Sequence, residues 1–431
     1  MNEIWRPVLR GEHAAQALKI AKEIAESVSS GEGTPPERFS PSQVRLWRNV
    51  LGTGNAGFSL LHAYLFLHSG DSEHADRAID RLDEAADFMA SFTSPESLYY
   101  GFAGIGWATA HLSGRLFEAD PDDGVEIDEL LLQFLSHPSR PGEYDLINGY
   151  VGLGIYALER LPRPSAARCL EKVVSRLAER AVEDEEGAAF FTPGEELLPL
   201  YRSSYPNGAF NLGMGHGLPG IVALLGAVCR AGVAVQEAHR LLRATVSWLL
   251  ARELPPGDGF RFPHFYVPGV VPPPGRLAWC YGDLGISLAL LVAARGACEP
   301  AWEREALRIA RTAAARDPSR SRIVDAGICH GTAGAGHLFN RLYQATGDEH
   351  LAEAARHWFL ETLAMRRPGT GVGGFSSYGR NDGAGARWSA EPGFLMGSAG
   401  VALALLAAAS PVPPDWDRLL LVSLRNATAQ P

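Results

Sequence analysis

The sequence has few cysteines, no excess of basic residues and no long apolar run, and each shortage excludes a class of protein. Five cysteines scattered over 431 residues do not form a disulfide framework, so metal binding or a free thiol is the more natural role. The formal net charge of −10, with no basic block, excludes a typical nucleic-acid binder. The longest apolar stretches, such as Val401–Ala409, are far shorter than the roughly 20 residues of a membrane-spanning helix.

The first twenty residues also lack the apolar segment of a signal peptide, because charged residues are spread through them. The composition, 46% hydrophobic and 20% charged, is that of an ordinary globular protein with a large core. We therefore expect a cytoplasmic protein with no transmembrane segment and no nucleic-acid partner.

The sequence does contain a repeat, in which Gly-x-x-Gly opens an apolar run. The pattern occurs seven times, with first glycines at Gly54, Gly101, Gly149, Gly217, Gly282, Gly331 and Gly397. The runs are apolar on nearly all sides, which predicts helices that are buried all round. The stretch Gly215–Gly220 formally matches the dinucleotide fingerprint GxGxxG, but no strand pattern precedes it, so we reject a dinucleotide site.

A second class of helix follows most copies of the repeat and has one apolar stripe on an otherwise charged surface. The predicted amphipathic segments are Glu73–Phe92, Ser165–Val182, Val235–Glu253, Ala301–Arg316, Glu349–Met365 and Trp416–Thr428. The alternation predicts an all-α fold, an α/α toroid (double barrel) of seven helical-hairpin repeats with an inner apolar ring inside an outer amphipathic ring. An open solenoid is the alternative, but steps of 47 to 68 residues are too irregular for one.

We expect one toroid domain over residues 1–431, with an N-terminal helix at 12–29, a linker at 30–41 and repeats from about 52 to 428. An insertion at 183–211, whose structure the pattern does not define, separates the third and fourth repeats. Proline-rich or glycine-rich loops, Pro255–Pro274 and Gly369–Pro392, precede the fifth and seventh repeats. Loops of this length in a compact fold are commonly functional or disordered.

The residues just before the first glycine of each copy indicate where chemistry occurs. In a closed ring, equivalent positions gather at one mouth, so Cys280, Cys329, His330 and His216 are expected to face a common space. Two thiolates and one imidazole suit Zn²⁺, whose catalytic sites keep a fourth position open. His216 opens a helix beside that position, where it is suited to moving protons.

The other cysteines and several histidines are expected to have structural roles. Cys169, Cys229 and Cys298 fall on helices or near a helix end and are expected to be inert. The histidines at 62, 111 and 337 lie inside apolar helices, where we expect hydrogen-bonded core residues. Asp145 and Arg276, each taken singly, would be ordinary loop charges.

Four stretches together resemble the lanthionine synthetase C-like family, the cyclases that form thioether rings in lantibiotics. They are Tyr144–Gly149, Asn211–Gly217, Trp279–Gly285 and Cys329–Gly331, and the resemblance extends from Gly54 to about residue 410. It implies one Zn²⁺ per chain, with Cys280, Cys329 and His330 as ligands. It also implies His216 and Asp145 as an acid/base pair, with Arg276 and Tyr281 as supporting site residues.

The function implied by the resemblance is that of a zinc-dependent lanthipeptide cyclase. Such an enzyme adds cysteine thiols to dehydroalanine or dehydrobutyrine residues of a dehydrated precursor peptide that carries a leader. No dehydratase domain precedes the repeats, so a separate dehydratase is the expected partner.

Four alternatives remain at this point. The same ligands would serve a LanC-like relative that adds glutathione or another free thiol to dehydrated proteins, and a zinc-stabilised peptide-binding scaffold would also retain them. A toroidal prenyltransferase-like protein would need a basic diphosphate pocket, which the sequence does not indicate. An α/α-barrel glycosidase would need paired carboxylates, for which Asp145 with Asp283 is the only candidate.

Overall fold

The computed structural model describes residues 5–37, 39–119, 124–137, 143–255, 257, 260–273, 275–381 and 385–424. Within these ranges the chain is mainly helical. In chain order the helices are α1 (Gly11–Ser29), α2 (Pro41–Asn49), α3 (Asn55–Ser69), α4 (Ser72–Ser91), α5 (Phe102–Leu112), α6 (Val125–Ser136), α7 (Tyr150–Glu159), α8 (Pro164–Arg180), α9 (Pro199–Arg202), α10 (Leu218–Ala231), α11 (Val235–Leu250), α12 (Asp283–Ala297), α13 (Pro300–Ala314), α14 (Thr332–Thr346), α15 (Glu349–Met365) and α16 (Ser398–Ala409).

The described residues form two compact units. The first is drawn from Met1–Ile127, Ile323–Gly379 and Trp388–Asp417, and contains helices α1–α5 and α14–α16. The second is drawn from Asp128–Arg322, Arg380–Arg387 and Arg418–Pro431, and contains helices α7–α13.

All seven predicted inner helices are present. They are α3, α5, α7, α10, α12, α14 and α16, and each begins at the residue after the first glycine of its repeat. Burial follows the prediction, since every residue of α16 from Ser398 to Ala408 is buried. In contrast, α4 buries only a stripe that includes Ala78, Leu82 and Ala85, as expected for an amphipathic helix.

The insertion contains short strands and the short helix α9. It contains β1 (Val182–Asp184), β2 (Gly187–Ala189), β3 (Phe191–Thr192) and β4 (Ala209–Asn211), and β5 (Phe265–Tyr266) comes from the proline-rich loop before the fifth repeat. Strands β1 and β2 form a hairpin, while β3, β4 and β5 form an antiparallel sheet in that order. A last hairpin pairs β6 (Ser377–Asn381) with β7 (Gly385–Ser389).

The predicted amphipathic helix over Trp416–Thr428 is wrong. The structure has a 3₁₀-helix at Asp415–Leu420, and the predicted helix from residue 425 onward lies outside the described residues. Four successive residues, 419–422, are all buried, which a helix with one solvated face cannot achieve.

The structure has helix α1 at Gly11–Ser29, where the sequence predicts a helix at 12–29. Helix α1 packs along α16, and the backbone N–H groups of Val8 and Leu9 both donate to the carbonyl of Ala408 at 3.0 Å. The indole N–H of Trp5 donates to the carbonyl of Ala407 at 2.7 Å. The last inner helix is therefore covered by the start of the chain.

The glycines of the repeat let the preceding loop fold back onto the helix entry. At Gly217 an added Cβ would overlap the backbone of Asn211, and at Gly282 it would overlap the carbonyl of Arg276. In both cases the obstructing residue lies six positions earlier in the chain. Gly282 also has φ of +102°, a conformation that L side chains rarely adopt. The loop before each such helix can take this path only because glycine has no side chain.

We predict that Gly334→Ala in α14 destabilises the fold, because the new Cβ would overlap the carbonyl of Ile328. The expected loss is about 1–3 kcal/mol of the free energy of unfolding, measured by urea denaturation. Gly379→Ala in β6 is the matched control, since nothing lies within 4 Å of the Cβ it would add. Equal stability of the two variants would contradict this role of the repeat glycines.

Candidate active site

A short extended segment in the second unit aligns the loops that carry the predicted site residues. It continues from β4, and the N–H of Leu212 donates to the carbonyl of His264 at 2.9 Å. Two residues later, the N–H of Met214 donates to the carbonyl of Cys280 at 2.8 Å. Because one segment is hydrogen-bonded to the backbone of both His264 and Cys280, the loop before α10 has a fixed register relative to the loop before α12.

The predicted supporting residue Tyr281 is fixed beside Cys280. Both side chains are buried, and the Tyr281 hydroxyl accepts a hydrogen bond from Asn211 Nδ2 at 3.2 Å. Burial raises the pKa of Tyr281 well above its ordinary value, so it remains a neutral phenol. Asn211 in turn accepts from the N–H of Gly213 at 2.9 Å, which closes a small network in the turn.

His216 and Asp145 form the predicted pair. His216 Nδ1 lies 2.5 Å from Asp145 Oδ2, and Asp145 Oδ1 accepts from the backbone N–H of Asn148 at 2.7 Å. Burial lowers the pKa of His216, but the attraction of Asp145 outweighs it, and Cys280 adds to that attraction, so the pKa is raised. The pair thus favours an imidazolium.

The three predicted zinc ligands stand just before first glycines of the repeat. Cys280 precedes Gly282 in the second unit, and Cys329 and His330 precede Gly331 in the first. Two thiols and an imidazole are donors that Zn²⁺ prefers, so the residues fit this ion in kind. Cys280 is buried, and the other two residues are half-buried.

Arg276 also lies at the site, four residues before Cys280, with its backbone against Gly282. Its Nε atom is buried and has no hydrogen-bond partner among the described residues. A buried N–H donor without a partner is costly, so this atom is available to a ligand.

The sequence analysis did not single out two residues whose pKa values are strongly shifted. His264, just before β5, stacks at a tilt on Tyr281 with ring centroids 4.8 Å apart. Its pKa is lowered to about 4, mainly by burial and then by the charge of Arg276. Glu391 is the other, and burial raises the pKa of its carboxyl to about 7.

A positional pattern could have found Glu391 but not His264. Glu391 stands six residues before Gly397, as Arg276 does before Gly282 and Asn211 before Gly217. His264 lies outside the repeat. The only sequence signal near it is the unusual length of its loop, Pro255–Pro274.

A cleft adjoins the His216–Asp145 pair in the second unit. The residues that line it come from the loop before α7, the end of α8 and the insertion, and include Tyr144, Arg180, Thr192, Glu196 and Tyr201. The Tyr144 hydroxyl lies 2.5 Å from the Thr192 hydroxyl, which ties the insertion to that loop.

The remaining sequence candidates are structural, as expected. The thiols of Cys169 and Cys229 are buried, and Cys298 is exposed at the end of α12. The three inner-helix histidines are hydrogen-bonded: His62 to Ser29 and His74, His111 to Tyr64, and His337 to Asp417.

Asp283 does not form a carboxylate pair with Asp145. It is fully buried and binds the guanidinium of Arg316 and the backbone N–H groups of Arg261 and Phe262. All of these contacts lie within the second unit and hold the proline-rich loop to the start of α12. The glycosidase alternative loses its only candidate pair.

The fold and site now define a class of protein. The family model described as "Lanthionine synthetase C-like protein" matches residues 46–421, and the chain belongs to this family. None of the curated proteins is similar enough in sequence to count as a match.

Among solved structures, nisin cyclase superposes with a TM-score of 0.73 at 20% identity, covering 94% of this chain and 96% of the other. This match confirms the predicted α/α toroid fold. An unsaturated glucuronyl hydrolase from Bacillus sp. GL1 reaches a TM-score of only 0.38 at 15% identity, covering 84% of this chain and 98% of that one. Among the described residues, no helix has both the length and the apolar character needed to cross a membrane.

We predict that Asp145→Asn destabilises the protein more at about pH 6 than at about pH 9. The raised pKa of His216 means that the pair stabilises the fold below the ordinary value of 6.5, and this stability is lost as pH rises through the folded pKa. The expected difference is about 1 kcal/mol, the gap between a charged and a neutral hydrogen bond, measured by urea denaturation at both pH values. In a His216→Gln background the pH dependence should disappear, and its persistence there would contradict the assignment.

Proposed function

We propose that this chain is a zinc-dependent lanthipeptide cyclase, which adds cysteine thiols of a dehydrated precursor peptide to its dehydroalanine or dehydrobutyrine residues. The observation that carries the proposal is the His216–Asp145 pair, which lies on a loop hydrogen-bonded to Cys280. The thiols of Cys280 and Cys329 and the imidazole of His330 supply the donor set for the ion. A thiol-activating ion and a proton donor are the two groups that this addition needs.

Cys280, Cys329 and His330 would hold the ion, and their two thiolates would offset its double charge. When bound, Zn²⁺ lowers the pKa of a coordinated thiol, so a substrate cysteine can react as the thiolate at neutral pH. The choice of two sulfur ligands is consistent with this task, because an electron-rich site leaves the substrate sulfur nucleophilic.

The chain's own residues manage the proton and the charge. The substrate thiolate attacks the β-carbon of the dehydro residue, a C–S bond forms, and the electron pair of the C=C bond moves toward Cα and the carbonyl oxygen. His216 enters as the imidazolium, with Nδ1 held by Asp145, so its other nitrogen donates a proton to Cα. The substrate thiol supplies the proton that restores it, and the net reaction is addition of S–H across the double bond.

The cleft beside the pair is the proposed binding place for the peptide. Its charged and aromatic lining can contact a backbone and side chains on either side of the reacting residue. We infer that the natural substrate carries a leader and that a separate dehydratase supplies the dehydro residues. The thiols of Cys280 and Cys329 must stay reduced to bind zinc, and the cytoplasm keeps protein thiols reduced.

The ligand assignment predicts that Cys280→Ser and His330→Ala abolish zinc binding. Zinc per chain, measured by metal analysis of the purified protein, should fall from about one to near zero. Cys298→Ser is the matched control, because this thiol is exposed at the end of α12 and should leave the zinc content unchanged. Full zinc content in His330→Ala would contradict the ligand set.

The acid role predicts that His216→Ala keeps zinc but loses ring formation. Removing a general acid should slow cyclisation by about 10²–10⁴-fold. Ring formation is counted by thiol alkylation and intact mass after incubation with the dehydrated precursor. An unimpaired rate would remove His216 from the mechanism, and a preference of the wild-type protein for glutathione over the peptide thiol would favour the free-thiol alternative.

A further inference from the structure

His264 is brought to the site by the same segment that holds Cys280. Its carbonyl accepts from the N–H of Leu212 at 2.9 Å, and the Cys280 carbonyl accepts from Met214 at 2.8 Å. Strand β5, which follows His264 directly, pairs with β4, with Phe265 opposite Asn211. The imidazole is therefore fixed in register with the zinc-ligand loop.

The ring of His264 is buried and lacks a partner on one side. The residue is 9% exposed, and its Nε2 atom has no hydrogen-bond partner among the described residues. Leaving a buried polar atom unsatisfied costs about 1–3 kcal/mol, so its retention beside a reaction centre points to a ligand atom that binds it. The ring packs on Tyr281, which limits how far it can turn away.

Arg276 presents a second donor in the same state. Its Nε atom is also buried and without a partner among the described residues. The Arg276 charge acts on His264 directly, which places the two side chains in one electrostatic environment. An acceptor that arrives with the substrate would satisfy both nitrogens, which belong to loops held together by the segment after β4.

We propose that the His264 Nε2–H and Arg276 Nε–H groups bind the carbonyl oxygen of the dehydro residue and stabilise the enolate formed during thiol addition. This rests on the proposed function. As the C–S bond forms and the C=C electron pair shifts, negative charge collects on that oxygen, and fixed donors there lower the barrier. No proton moves at the oxygen; the charge is discharged when His216 protonates Cα.

The assignment gives the two histidines different tasks. His216, paired with Asp145, gives up a proton, whereas His264, beside a guanidinium, keeps its proton and donates a hydrogen bond. A neutral imidazole is suited to this second task, because it donates without transferring its proton and so leaves the enolate reactive at carbon.

The test is cyclisation of the dehydrated precursor by His264→Phe, which fills the ring volume without a donor. We expect kcat to fall about 10²–10³-fold, as for loss of one oxyanion donor, with KM and zinc content close to wild type. His264→Gln, which restores a side-chain N–H, should recover part of kcat. His111→Phe is the matched control: it makes the same change at a buried histidine of α5, and should leave kcat unchanged.

Four results would overturn the inference. A wild-type kcat in folded His264→Phe, or equal losses in the Phe and Gln variants, would show that the donor is not used. A change in KM or zinc content alone would assign His264 a binding or structural role instead. Failure of the wild-type protein to cyclise the precursor would reject the proposed function itself, and the enolate assignment with it.

Discussion

The missing side chain of the repeat glycines is the constraint on which the site depends. A loop can fold back onto the start of an inner helix only if no Cβ stands there, and the obstructing backbone comes from residues such as Asn211 and Arg276. The residues of these loops then occupy equivalent places in each repeat. His216 and Tyr281 lie one position before the glycine and Cys280 lies two before, so one steric rule positions side chains with different chemistry.

Neighbouring charges then shift the pKa values of His216 and His264 in opposite directions. His264 is buried and His216 is half-buried, and burial lowers the pKa of each. The carboxylate of Asp145 reverses this effect for His216, whereas the guanidinium of Arg276 reinforces it for His264. At neutral pH the second unit thus holds one imidazole that favours charge and one that remains neutral, which is the arrangement that separates acid catalysis from hydrogen bonding.

The sequence could predict what the repeat encodes. Inner helices follow from runs such as Val401–Ala409, and alignment on the first glycine puts Cys280 and Cys329 at equivalent positions of two copies. Such inferences need only local periodicity and equivalence between copies. They gave the helix class and the place of His216, because both depend on residues close to a glycine.

The rest depends on contacts that no local pattern contains. The segment predicted as an outer helix at Trp416–Thr428 follows α16, and α1 packs along α16 from the other end of the sequence. Such a contact between distant segments leaves no trace in the local apolar pattern of the predicted helix. Similarly, His264 reaches the site through the pairing of β4 with β5, and short strands with few alternating residues give no periodic pattern.

Backbone hydrogen bonds tie the insertion to the loops that carry the predicted site residues. Strand β4 continues directly into the segment whose N–H groups donate to the carbonyls of His264 and Cys280. The insertion also supplies Thr192 and Tyr201 to the cleft beside His216. A flexible appendage would have no such continuity. Because hydrogen bonds of one short segment fix both the wall of the cleft and the loop of Cys280, a peptide held by the insertion would, under the proposed function, be held in register with the reacting groups.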